Sequence, residues 1–133
     1  MRVFLTGGTG FIGTALVSAM RRRGWTVVAL VRRPDAPQAR EIARLGAELA
    51  AGDVTDRGSM RAPMSGAGLV VHNAGWYELG IGGAEAERKM QAINVDGARN
   101  TLELASELGV PRIVHVSSIV APGATDGTLR DET

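Results

Sequence analysis

Apolar residues fall along this chain in short runs that alternate with helix-spaced stretches. "MRVFLT" (1–6) is a short apolar run leading into a glycine cluster, and it reads as a first strand. From Gly10 the apolar positions are Phe11, Ile12, Ala15, Leu16, Ala19 and Met20. That spacing predicts a helix with these residues on its inward face. Arg21, Arg22 and Arg23 suit the negative end of its dipole, and Gly24 suits the position just past its end. "TVVALV" (26–31) is a second strand, apolar throughout, as expected where both faces are covered. Residues 38 to 45 predict a short helix, and "AELAAGD" (47–53) a third strand with its exit turn. A helix around 56 to 65 is weakened by Gly58 and Pro63. "GLVVHNAG" (68–75) is a fourth strand, followed by a glycine-rich loop, "WYELGIGG" (76–83). A long helix follows from about 84 to 108, with Met90, Ile93, Gly97, Ala98, Thr101, Ala105 and Leu108 inward, closed by Gly109 and Pro111. "RIVHVSS" (112–118) is a fifth strand.

Strands and helices alternating in this way predict an α/β fold: one parallel sheet with helices on both faces. Ligands of such sheets bind at the carboxyl ends of the strands, where the strand order reverses.

Composition narrows the picture further. The chain's 133 residues suffice for one domain with one core, and 44% hydrophobic with 22% charged residues is ordinary for a soluble globular chain. A net charge of +1 gives no overall field for nucleic acid or an anionic membrane. The apolar runs are too short to span a bilayer, and Met1 leads directly into a strand with no signal-peptide pattern. The absence of cysteine excludes disulfides and thiolate chemistry and fits a cytoplasmic setting. His72 and His115 lie in different segments and read as strand-end packing or hydrogen-bonding residues, so no metal site is expected.

The candidate chemistry begins with "TGGTGFIG", which places Gly7, Gly10 and Gly13 between a strand and a helix. Gly7 can make the sharp turn. Gly10 lets backbone approach a pyrophosphate. Gly13 lets the first helix pack closely on the first strand, with the helix N-terminal N–H groups facing the anion. The residues after the second strand bear on the cofactor. A carboxylate there commonly takes the ribose hydroxyls of NAD, but this chain has Val31, Arg32 and Arg33. A guanidinium can grip a 2′-phosphate, which favours NADP, with NAD as the alternative.

On these residues the chain resembles the extended short-chain dehydrogenase/reductase family, the NAD-dependent epimerase/dehydratase group. "TGGTGFIG" matches its N-terminal fingerprint, so Gly7, Gly10, Phe11, Ile12 and Gly13 are expected at the cofactor. "GDVTD" (52–56) looks like the adenine-side motif, with Asp53 and Val54 beside the ring. "HNAG" (72–75) looks like the strand-four motif, with Asn73, Ala74 and Gly75 close to the cofactor. "INVDGARN" (93–100) resembles the helix motif whose asparagine belongs to the catalytic set, here Asn94. "IVHVSS" resembles the strand delivering the catalytic serine, and the alignment puts Ser118 rather than Ser117 there. The resemblance covers essentially the whole chain and implies a doubly wound Rossmann-type sheet over 1–133. "VRRP" and "VSSIVA" look most like the dihydroflavonol-reductase-like branch, which implies NADP-dependent carbonyl reduction.

The chain departs from the family in its general acid. That residue is a tyrosine in Tyr-x-x-x-Lys, whereas Tyr77 and Lys89 stand twelve residues apart. The resemblance therefore implies the front part of an enzyme, ending after the fifth strand, without the substrate-binding part and inactive by itself. That strand would form an open sheet edge prone to pairing. Trp76 and Tyr77 are candidates for a substrate mouth or for simple loop packing. The expected ligands are a dinucleotide and a small carbonyl compound or sugar nucleotide, with a homodimer left open. A sugar-nucleotide epimerase or dehydratase, or a non-catalytic dinucleotide-binding module, are the competing readings.

Overall fold

The computed structural model describes residues 1–77 and 82–118. Positions 78–81 of the expected 76–83 loop, and the segment after Ser118, lie outside the described residues. Five strands form one parallel sheet: β1 (Arg2–Thr6), β2 (Thr26–Val31), β3 (Glu48–Ala51), β4 (Leu69–His72) and β5 (Ile113–His115), in the order β3-β2-β1-β4-β5. The chain steps outward from β1 to β3, then returns to the other side of β1 for β4 and β5. The order therefore reverses between β1 and β4.

Both faces of the sheet are covered. On one, Val3, Leu5, Val27, Ala29 and Val71 pack on Val17 and Met20 of α1 (Phe11–Arg22) and Ala39 and Ile42 of α2 (Pro37–Arg44). On the other, Phe4, Val28, Leu30 and Val70 pack on Met60 and Met64 of α3 (Arg57–Met64) and on Leu104 and Ala105 of α5 (Gly97–Glu107). Alternate residues of one strand feed opposite cores, which is why these strands read as unbroken apolar runs. Gly24 takes φ +73 after α1, with the Trp25 and Gly24 N–H groups closing on Met20 and Arg21 carbonyls, so the helix stops as its sequence predicts. α3 forms despite its glycine and proline because Asp56 caps it, accepting from the Gly58 and Ser59 N–H groups at 3.0 and 3.3 Å, and because Pro63 falls in the last turn.

Three expectations are corrected. The inward face of α1 is Gly13, Val17 and Met20, while Phe11 is 97% and Ile12 53% exposed. Helical spacing admits more than one face, and the first turn projects from the sheet edge into solvent. The helix expected over 84–108 is interrupted: α4 (Ala84–Met90) passes through a π-helical segment, Gln91–Asp96, into α5. Its inner face loses Met90, which is exposed, and gains Ala86 and Leu104. The strand expected over 112–118 is shorter, with β5 covering Ile113–His115 at the sheet edge where it was expected, and Ile113, Val114 and Val116 exposed.

Candidate functional site

The reversal of strand order opens a cleft at the carboxyl ends of β1 and β4, the position where parallel sheets hold ligands. Its volume is about 560 Å³, within the range of small-molecule sites. Leu30, Val31 and Arg32 line one end with Gly52, Asp53 and Val54. The loop Thr6–Ile12 lines the middle, and Asn73–Trp76, Lys89 and Ile93 line the other end.

The glycine loop is shaped by contacts of very different closeness. Gly7 has φ +68, and a Cβ there would lie 2.6 Å from the Asn73 carbonyl. Any other residue would push the loop off the end of β4. A Cβ at Gly13 would overlap the Gly7 carbonyl oxygen and lie 2.7 Å from Gly8. Gly13 therefore allows α1 to seat on the loop itself, not on the first strand as expected. Gly10 differs, since its added Cβ would approach only the Gly7 oxygen, at 3.6 Å. The space over Gly10 is open to the cleft. No side chain caps α1, and its first turn holds no acid, so its leading N–H groups face the cleft without a charged side-chain partner.

A hydrogen-bond network built on Thr6 holds the β4 side. Thr6 Oγ1 accepts from the backbone N–H groups of Asn73 and Ala74 at 3.2 and 3.1 Å. Its own proton is left for Nδ1 of His72 at 3.0 Å, which makes His72 the neutral Nε2–H tautomer. His72 is fully buried and stacks on His115 at 5.3 Å between ring centroids. Burial, reinforced by the His115 charge, pushes the His72 pKa down to about 4. His72 is thus a packing and hydrogen-bonding residue, while His115 is exposed and meets it by ring stacking. The Asn73 side chain donates to the Gly7 carbonyl at 3.1 Å, tying β4 to the glycine loop.

Asn94 lies in the π segment and grips the backbone of Trp76 twice. Its Oδ1 accepts from the Trp76 N–H at 2.7 Å, and its Nδ2 donates to the Trp76 carbonyl at 2.8 Å. That engagement accounts for a poor helix former within a helix, and π segments commonly mark functional positions. On the adenine-side turn, Asp53 Oδ1 accepts from the Thr55 N–H and hydroxyl at 2.9 and 2.8 Å. Asn100 donates to the Val54 carbonyl at 3.0 Å, so α5 braces the same turn.

Of the expected cofactor positions, Gly7, Gly10, Phe11, Ile12, Arg32, Asp53, Val54, Asn73, Ala74 and Gly75 line the cleft, whereas Gly13 and Arg33 do not. Asn94 stands behind the lining, near Gly75. The parallel register pairs His72 with His115, and the Val116 N–H bonds the His72 carbonyl at 2.9 Å. Ser118 follows the end of β5 and is not among the residues that line the cleft. Thr6 and Lys89 escaped the sequence reading. Lys89 precedes Ile93 by four residues, a spacing that puts both on one helix face and could have flagged it.

The residues fit a dinucleotide, with an open backbone approach at Gly10, uncapped helix N–H groups and a cleft continuous to Asp53 and Arg32. No helix among the described residues is long and apolar enough to cross a membrane.

The family model for the NAD dependent epimerase/dehydratase family matches residues 3–133. A protein of Synechocystis sp. named "Putative dihydroflavonol 4-reductase" is 37% identical over 131 residues, which are 98% of this chain and 36% of that one. The 3 beta-hydroxysteroid dehydrogenase/Delta 5-->4-isomerase of Mycobacterium tuberculosis is 36% identical over 99% of this chain and 36% of its own. Among solved structures, the UDP-glucose-4-epimerase of Stenotrophomonas maltophila, with bound NAD and formylated UDP-arabinopyranose, superposes with a TM-score of 0.80. It is 26% identical over 100% of this chain and 41% of that one. The chain thus spans about a third of the length of the curated relatives it matches. With the fingerprint loop, the switch-point cleft and the family model in agreement over nearly every residue, the chain belongs to the NAD dependent epimerase/dehydratase family.

Proposed function

We propose that this chain is the dinucleotide-binding part of an NADP-dependent carbonyl reductase. The observation that carries the reading is Arg32 in the cleft, at the end of β2 where NAD sites commonly offer a carboxylate. Arg32 would pair with the 2′-phosphate, and Asp53 and Val54 would flank the adenine. The α1 N-terminus would hold the pyrophosphate over Gly10, with Ala74 and Gly75 beneath the nicotinamide half. The bound cofactor supplies or takes a hydride at its nicotinamide ring. Ser118 would donate a hydrogen bond to the substrate oxygen as charge develops on it. Asn94 would hold the Trp76 backbone and the opened helix around the cleft. No Tyr-x-x-x-Lys occurs in the chain, so proton transfer would need a group that these 133 residues do not contain.

A sugar-nucleotide epimerase or dehydratase is the second reading, favoured by the superposition on an epimerase holding NAD and a UDP-sugar. Calorimetric titration of the chain with NADPH and NADH tests the first. Tighter NADPH binding that depends on Arg32 supports it. Equal or tighter NADH binding moves the choice to the second.

A further inference from the structure

Lys89 is the single lysine of the chain, and neither the fingerprint nor the expected catalytic set uses it. It stands in the last turn of α4, with its ammonium 4.3 Å from the centroid of the Trp76 ring. Both side chains line the cleft beside Gly75 and Ile93. Trp76 is not free to drift, because Asn94 holds its backbone at both the N–H and the carbonyl. Among the described residues, the cations lining the cleft are thus Arg32 at the β2 end and Lys89 at the β4 end, with the uncharged glycine loop between them.

A dinucleotide carries one phosphate on each half of its pyrophosphate. With the adenosine half at Arg32 and Asp53, the nicotinamide half and its phosphate run toward Gly75 and Lys89. A cation over a half-buried aromatic face is held less strongly than by a charge-assisted hydrogen bond to phosphate, which is among the stronger polar contacts. An ammonium on a four-carbon stem can exchange the first for the second without backbone movement.

The geometry points to Lys89 as a second anion-binding residue of the cleft: it pairs with the phosphate of the nicotinamide half, and the Trp76 face holds it ready until that phosphate arrives. This assignment rests on the dinucleotide reading and adds the partner and the side of the cleft. It also makes Trp76 a reporter, because the ring loses its cation when the phosphate binds.

The test titrates the 133-residue chain with NADPH, reduced nicotinamide mononucleotide and 2′,5′-ADP, following tryptophan emission and heat. Lys89→Gln should weaken NADPH and the mononucleotide about five- to tenfold, the size of one solvent-exposed charged hydrogen bond. It should leave 2′,5′-ADP unchanged. Lys89→Arg, which keeps the charge, should bind all three within about twofold of the parent chain, as expected where a single monodentate contact is replaced. The emission change caused by the mononucleotide should vanish in Trp76→Phe. Unchanged mononucleotide affinity in Lys89→Gln, or an equal loss for 2′,5′-ADP, overturns the assignment while leaving the cleft a dinucleotide site. A parent chain that binds none of the three overturns the dinucleotide reading and this assignment together.

Discussion

Thr6 Oγ1 and His72 Nδ1 stand 3.0 Å apart on neighbouring parallel strands, and the same hydroxyl accepts the N–H groups of Asn73 and Ala74 in the cleft floor. A second proton on His72 has no acceptor at Nδ1, because the Thr6 oxygen already serves two donors. The folded pKa is pushed down to about 4 from an ordinary 6.5, so the unfolded chain takes up the proton first. Stability should be complete above pH 6.5, fall between 6.5 and about 4, and level off below. The drop corresponds to a loss of about 3 kcal/mol from this group. Urea unfolding at several pH values checks it, and His72→Phe should flatten that window. An unchanged slope in the variant would show that another group is responsible.

Gly10 and Gly13 should fail differently. Gly10 has ordinary extended backbone and open space beyond its Cα, so Gly10→Val should keep the helical circular dichroism and block dinucleotide binding of either kind. Gly13→Ala puts a methyl group into the Gly7 carbonyl and should cost roughly 1–3 kcal/mol of stability through overpacking. Retained binding by Gly10→Val would reduce the loop to a turn.

Arg32 lines the cleft and Arg33 does not, which separates two residues the sequence treats alike. Arg32→Ala should weaken NADPH about tenfold or more while changing NADH little, consistent with one lost charged pair. Arg33→Ala should change neither by more than about twofold, as for a surface charge. Calorimetry with both cofactors on both variants is the check. Equal losses for NADPH and NADH in Arg32→Ala would remove the 2′-phosphate assignment.

The sequence showed all five strands and the glycine loop because each depends on local pattern: an apolar run, a glycine turn, a helix start. It misled where packing across the sequence decides. Phe11 and Ile12 carry helical spacing, but the first turn of α1 lies beyond the sheet and finds no neighbours to bury it. The break at 91–96 was unreadable because its cause, Asn94 reaching Trp76, joins residues 18 apart through the fold. The contact of Lys89 with Trp76 was hidden for the same reason, although its spacing from Ile93 was there to read. The Thr6 network needed the register of β1 against β4, which no single run of residues encodes.

Asn94→Ala should release both bonds to Trp76 and cost about 1–3 kcal/mol, two partly buried hydrogen bonds' worth. Asn94→Asp should not rescue it. The aspartate keeps the acceptor for the Trp76 N–H but sets a second oxygen against the Trp76 carbonyl. Denaturation followed by tryptophan emission measures both variants. Full rescue by aspartate would mean that the donor to the carbonyl contributes nothing.

Ser118 bears the final prediction. It follows the carboxyl end of β5, the end of the parallel sheet at which the cleft lies. A hydroxyl there can polarise a substrate oxygen, but a serine at neutral pH is a poor proton donor. Loss of a general acid alone costs about 10²–10⁴-fold in rate. The 133-residue chain should therefore show no measurable carbonyl reduction when NADPH absorbance is followed with a panel of aldehydes and ketones. A longer form of the protein that includes a Tyr-x-x-x-Lys should turn over. In that form Ser118→Ala should lower kcat about 10²–10³-fold, the cost of removing one oxyanion-type donor. Ser117→Ala should cost less, because the alignment with the family's catalytic strand assigns the role to Ser118. Turnover by the short chain, or an indifferent Ser118→Ala, would show that the serine at the end of β5 is only a strand terminus.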